Sequence, residues 1–167
     1  MYDYVLQYGF DKSSHNKIQE IKDYLKTNGI QDKERNWLPH ITIDLYNCQD
    51  QGEFLHSLDL IIKEIKQFDI QFKNLNDCNE ETLYIEPYNK NNLMNLKLFF
   101  DEKLNKYMLE KRKTRKYIPH ATLCTSDTLD KSIKLANDIF SPFDARVKYI
   151  WVYNHDMVLI KEYKLEN

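Results

Sequence analysis

The sequence predicts an α+β fold of two pseudo-symmetric lobes, each a small, mostly antiparallel sheet with helices on one face, and a cleft between the lobes. Three observations predict it. A nonapeptide is nearly repeated, "RNWLPHITI" at residues 35–43 and "RKYIPHATL" at residues 115–123, an offset of 80 in a chain of 167. At that same offset the apolar periodicity runs strand, helix, strand, helix, strand in both halves. Only 3 Gly and 4 Pro occur, with 42% apolar residues, so the chain has material for regular elements and little for long loops.

Taken in order, "YDYVLQYGF" alternates and is rich in Tyr and Val, which predicts a strand, and "TLYIEPYN" repeats it with Tyr84 at the place of Tyr4 and Tyr88 at that of Tyr8. A helix follows each. In the first, Ser13 or Ser14 can cap, Ile18, Ile21 and Leu25 share a face, and Gly29 terminates. In the second, Asn91 or Asn92 can cap a stripe of Leu93, Leu96, Phe99 or Phe100, Leu104 and Tyr107 or Met108. Then come the motif strands, "PHITIDLY" and "PHATLC". Asp50 with Glu53 resembles a capping box ahead of Phe54, Leu58, Ile61, Ile65 and Phe68, and Leu129, Ile133, Ala136 and Ile139 or Phe140 form the later counterpart. "DIQFKNL" closes the first half. "VKYIWVY" and "MVLIKEYKL", joined by a turn at Asn154-His155-Asp156, close the second. Residues 1–167 thus form one bilobal domain with an internal repeat of roughly 1–80 and 81–167.

A net charge of -2 gives no global attraction for a polyanion, so any such ligand needs a local patch. The one charge run is "EKRKTRK" at 110–116. Lys111, Arg112, Lys113 and Lys116 suit a solvated helix end, and their place just before the second motif makes them the steering candidates. Cys48, Cys78 and Cys124 have no CxxC spacing and cannot all pair, which fits reduced thiols in a cytoplasmic protein. The N-terminus has no basic stretch followed by an apolar one, and no segment approaches the ~20 apolar residues of a membrane span, so a soluble protein is expected.

Pro39 and Pro119 suit the entry to a strand, where a missing N–H costs no ladder bond. Beyond them His40 and Thr42 share one face by strand parity, as do His120 and Thr122, while Ile41, Ile43, Ala121 and Leu123 take the other. Facing each other, the two pairs supply a general base, a general acid and two hydroxyls able to donate to phosphate oxygens. Two of the four Arg and two of the four Pro occupy matching motif positions, which weighs against chance. A metal site is the sharper rival. The usual zinc arrangements need a third ligand that neither motif supplies, Cys124 and Asp44 being the nearest donors, so no metal and no cofactor are expected.

Arg35 and Arg115 are candidate substrate-binding residues because guanidinium pairs bidentately with phosphate. Each lies five residues before its His, an odd offset that a regular strand would aim away unless the chain bends before the Pro. Trp37 and Tyr117 share that parity and are expected as core anchors. Tyr8, Phe10 and Tyr88 are the candidate base-stacking aromatics. His15, His56 and His155 have no Thr two residues on and are taken as non-catalytic.

Paired His-x-Thr motifs, each preceded by Pro and half a chain apart, resemble the two-histidine phosphoesterases of the 2′-5′ RNA ligase-like superfamily. The resemblance implies a bilobal fold with its site in the groove, His40 and His120 as the catalytic pair, and Thr42 and Thr122 as phosphate ligands. It further implies His120 as base and His40 as acid. The implied activity is metal-independent opening of a 2′,3′-cyclic phosphate or cleavage of a 2′,5′-type linkage in an RNA end or small nucleotide. A monomer is expected. Hydrolysis of cyclic oligonucleotide signals, or non-catalytic capture of RNA ends, are the alternatives.

Overall fold

Tyr4, Leu6, Tyr8 and Phe10 alternate down the first strand and enter the main core, while Val5 and Gln7 are buried on its other face, so this strand is covered on both sides. The computed structural model describes residues 1–34 and 37–167. Its elements are β1 (Tyr4–Phe10), α1 (Lys12–Thr27), β2 (His40–Tyr46), α2 (Gln51–Ile62), β3 (Phe68–Cys78), β4 (Thr82–Pro87), α3 (Asn91–Lys103), α4 (Glu110–Lys113), β5 (Ala121–Thr125), α5 (Leu129–Ile139), β6 (Phe143–Asn154) and β7 (Leu159–Lys164). A 3₁₀ turn at Asn105–Tyr107 separates α3 from α4.

Local chemistry sets the element ends. The cap of α1 is Asp11, whose Oδ1 accepts from the Ser14 N–H at 2.9 Å. Ser14 is drawn inward instead, where its Oγ accepts from the Arg146 N–H at 2.9 Å. Gly29, at φ 83, follows the helix in the left-handed conformation that favours glycine. Asp50 caps α2 as expected, accepting from the Glu53 N–H at 3.0 Å, but the Glu53 carboxylate turns away to Lys106 Nζ at 2.6 Å and the Tyr107 hydroxyl at 2.9 Å. That helix stops at Ile62, so Ile65 lies in the following loop and Phe68 opens β3. Neither Asn91 nor Asn92 caps α3, since Asn89 Oδ1 takes the Asn91 N–H at 3.1 Å. Leu104, Tyr107 and Met108 are buried beyond the helix end.

All strand pairs are antiparallel, in the order β2-β1-β6-β3-β4-β5 with β7 added to β6. The closing strands are exchanged between the repeats. β6, from the second half, pairs with β1 through Phe10↔Val147, and β3, from the first half, pairs with β4 from Phe72↔Pro87. The lobes are therefore β2-β1-β6 and β5-β4-β3, rather than the two halves each closed by its own strand. At 11 and 12 residues, β3 and β6 are long enough to serve two partners, and their first parts pair with each other from Phe68↔Val147 to Phe72↔Phe143. Alternation in a sequence shows which residues share a face; it does not choose the neighbour.

One core joins the β1 stripe to Ile18, Leu25, Phe54, Leu58, Leu93, Phe100 and Ala136, so the major helices pack on one face of the sheet. A second, smaller cluster of Val5, Trp151 and Tyr153, with Trp37 and Tyr149 against it, covers the other face. Tyr8 and Phe10, 0% and 2% exposed, belong to the main core and are not stacking platforms. Strand parity turns them toward the helices. Tyr88 is exposed, but the Lys73 ammonium sits 3.6 Å from its ring centroid.

Gly9 pairs in register with His40, and a Cβ there would lie 2.5 Å from Trp151 Cζ2. The indole lies against the bare backbone and donates from Nε1 to Glu162 Oε2 at 2.8 Å. Gly9→Ala is expected to cost about 1–3 kcal/mol by overpacking, read as a lowered Tm, with Trp fluorescence reporting the displaced ring.

Candidate active site

Both motif strands carry the same irregularity. Against β1, β2 skips from Thr42 to Asp44, and against β4, β5 skips from Thr122 to Cys124, leaving Ile43 and Leu123 as the extra residues. Bulges of this kind bend a strand and re-aim its side chains. Ile41, Ile43, Ala121 and Leu123 enter the core, while His40, Thr42, His120 and Thr122 stay half-buried on the other side.

The two imidazoles are held identically. His40 Nδ1 lies 2.7 Å from the Leu38 carbonyl oxygen and His120 Nδ1 lies 2.7 Å from that of Ile118. A carbonyl only accepts, so each Nδ1 carries the proton and each neutral ring keeps its lone pair on Nε2. An aromatic ring flanks each: Trp37 lies 5.5 Å from His40 and Tyr84 lies 4.8 Å from His120, centroid to centroid. Trp37 also packs edge-on to Tyr153. It stands beside the site rather than in the main core, because residues 37–39 are not yet strand and parity does not govern them.

Burial pushes the His40 pKa down to about 4; the Leu38 carbonyl opposes this, and the neighbouring Lys22 and His120 add to it. The influence of His120 means that the two motifs meet electrostatically. They also meet in space, since Thr42 and Asp44 of β2 line one cavity with Tyr84 of β4 and His120. Cys78 and Asn79, at the β3–β4 turn, complete one wall. Lys97, Arg112, Arg115, Lys116, Tyr117 and Ile118 form the other.

That second wall is tied down by charge. Asp44, 1% exposed, accepts from Lys97 Nζ at 2.8 Å and Arg112 Nε at 2.6 Å, and Lys97 also pairs with Asp101. The Tyr117 hydroxyl donates to the Thr42 carbonyl at 3.0 Å. Burial, with Asp44 and Asp101 nearby, raises the Tyr117 pKa well above the ordinary phenol, so it stays a donor.

Three expectations change here. Tyr117 is a cavity wall, not a core anchor, and Arg115 lines the cavity despite its odd offset, because residues 114–120 are irregular and β5 begins only at Ala121. Arg112 is not on a solvated helix end; its side chain is 15% exposed against Asp44. Arg35 lies outside the described residues. Asp44, Lys97, Tyr84 and Asn79 were not singled out for phosphate chemistry. Lys97 left a signal, a cation four residues after Leu93 on the apolar side of a helix.

Among the described residues no three His, Cys, Asp or Glu side chains converge as metal ligands. Among the same residues no helix is long and apolar enough to cross a membrane. Cys48, Cys78 and Cys124 are free thiols.

No curated protein matches the chain by sequence. Among solved structures, a Thermus thermophilus protein superposes with a TM-score of 0.69 at 8% identity, covering 99% of this chain and 98% of that one. Escherichia coli LigT complexed with 3′-AMP gives 0.67 at 11% identity over 99% of both chains. LigT complexed with NADP+ gives 0.65 at 12% identity, again over 99% of both. At such identities these are likenesses of fold. Of the four motif residues, Thr42 and His120 line the cavity and His40 and Thr122 are not part of its lining. The model of the 2′-5′ RNA ligase superfamily matches residues 10–158, nearly the whole chain, and the chain belongs to that superfamily of two-histidine phosphoesterases.

Proposed function

We propose that the protein is a metal-independent phosphodiesterase that opens 2′,3′-cyclic phosphates of RNA ends or small nucleotides. The observation that carries this is Thr42 of one motif lining the same cavity as His120 of the other, with both imidazoles locked as Nδ1–H tautomers. One Nε2 takes a proton from water as its oxygen attacks phosphorus. The P–O bond to the ribose breaks, and the other imidazole, protonated, gives its proton to the leaving oxygen. Thr42 and Thr122 donate to the non-bridging oxygens, where charge gathers in the transition state. LigT, which shares the fold, has been crystallised with 3′-AMP, a nucleoside monophosphate of the kind this reaction yields.

The depressed pKa keeps His40 neutral at pH 7 and so free to take a proton, which favours it as the base and His120 as the acid. This reverses the split that the family resemblance implies. Because the value lies below the ordinary 6.5, the acid limb of kcat/KM is expected near pH 4. An acid limb at 6.5 or above would return the base role to His120. The same depression makes folding less favourable as pH falls from 6.5 through 4, since the unfolded chain then binds the proton more readily.

The activity test is incubation with a 2′,3′-cyclic mononucleotide in excess EDTA. A nucleoside monophosphate is the expected product. Binding without turnover would indicate an RNA-end-binding module, and inhibition by the chelator would indicate a metal enzyme.

A further inference from the structure

The cavity that holds Thr42 and His120 continues to a wall of cations, only part of which is neutralised by the protein. Lys97 and Arg112 are engaged by Asp44. Arg115 and Lys116 line the same cavity, are exposed, and among the described residues have no carboxylate partner. They stand on the irregular stretch anchored at one end by the Arg112–Asp44 pair and at the other by the Tyr117 hydroxyl. The β3–β4 turn adds Asn79 to the same lining, an amide without charge. In a chain of net charge -2, two uncompensated cations lining a cleft beside a candidate general acid form a local anion site.

We infer that this end of the cavity is a second anion subsite, which takes a phosphate of the substrate other than the one under attack. The inference rests on the proposed phosphodiesterase reading and narrows its substrate class. The preferred substrate is a nucleoside 2′,3′-cyclic phosphate that carries a further phosphate, either a 5′-phosphate on the same nucleoside or the phosphodiester joining it to the next nucleotide of an RNA end. Arg115 supplies planar paired donors and Lys116 a point charge, which together fit a phosphate better than a neutral base or sugar.

Three probes separate the cases: a nucleoside 2′,3′-cyclic monophosphate, the same molecule with a 5′-phosphate, and a dinucleotide ending in a 2′,3′-cyclic phosphate. At least one of the latter two is expected to exceed the first by ~10-fold or more in kcat/KM, the worth of one charge-assisted contact. The probe that gains identifies the source of the second phosphate. In the Arg115→Gln/Lys116→Gln double variant that ratio is expected to fall to near one. Equal kcat/KM for all three probes in the wild type, or a ratio unchanged in the variant, would overturn the subsite. Should no probe be turned over, the phosphodiesterase reading fails, and dissociation constants of the same probes decide the subsite by the same ratio and the same variant.

Discussion

Replacing His40 or His120 by alanine is expected to lower turnover of a 2′,3′-cyclic nucleotide by at least ~10²-fold in each single variant, the usual contribution of a positioned proton-transfer group. The geometry makes the loss specific to the ring. Each imidazole stands at the edge of its strand, held by one Nδ1–H bond to the carbonyl two residues before it. Truncation removes that bond and an aromatic contact, and leaves the core beneath Ile41 and Ala121 untouched. Because acid and base act in one step, the His40→Ala/His120→Ala double variant is expected to fall well short of the product of the single losses. Steady-state kinetics with circular dichroism on all three variants checks this. Near wild-type turnover in both single variants would remove the pair from the mechanism.

The candidate residues were legible because the chain states them twice, and two of the four, Thr42 and His120, line the cavity. The repeated nonapeptide named His40, Thr42, His120 and Thr122, and strand parity put each pair on one face. Parity failed just before the strands, where Trp37, Arg115 and Tyr117 lie in irregular backbone whose direction no period of two predicts. It was also silent on partners. Nothing in "DIQFKNL" or "VKYIWVY" says that β3 would pair with β4 and β6 with β1, since long-range pairing follows from the whole packing. The offset of 80 likewise hid a difference at equivalent positions: Asp44 in the first motif strand stands where Cys124 stands in the second.

That difference carries the largest stability effect. Asp44 is buried between Lys97 and Arg112, whose side chains are 9% and 15% exposed, so Asp44→Ala strands two cations with only Asp101 near Lys97 to offset them. Breaking a buried pair from one side costs about 3–5 kcal/mol, because the remaining charge keeps its desolvation cost. For a chain of 167 residues this is a fall in Tm of roughly 6–20 °C. Lys97→Met should cost less, since Arg112 and Asp44 then remain one against one. The Asp44→Ala/Lys97→Met double variant should recover part of the single Asp44 loss, and calorimetry on the full cycle measures the coupling. The effect reaches function through position. Arg112 ties residues 110–117 to β2 two residues beyond Thr42, so releasing it frees the wall that carries Arg115 and Lys116 as well as the Tyr117 bond to the Thr42 carbonyl. In the second repeat Cys124 fills the equivalent place as a buried thiol, which shows that the fold needs no charge there. The Asp44 carboxylate is therefore required by the cationic wall it anchors, and a Tm within about 2 °C of wild type for Asp44→Ala would refute that role.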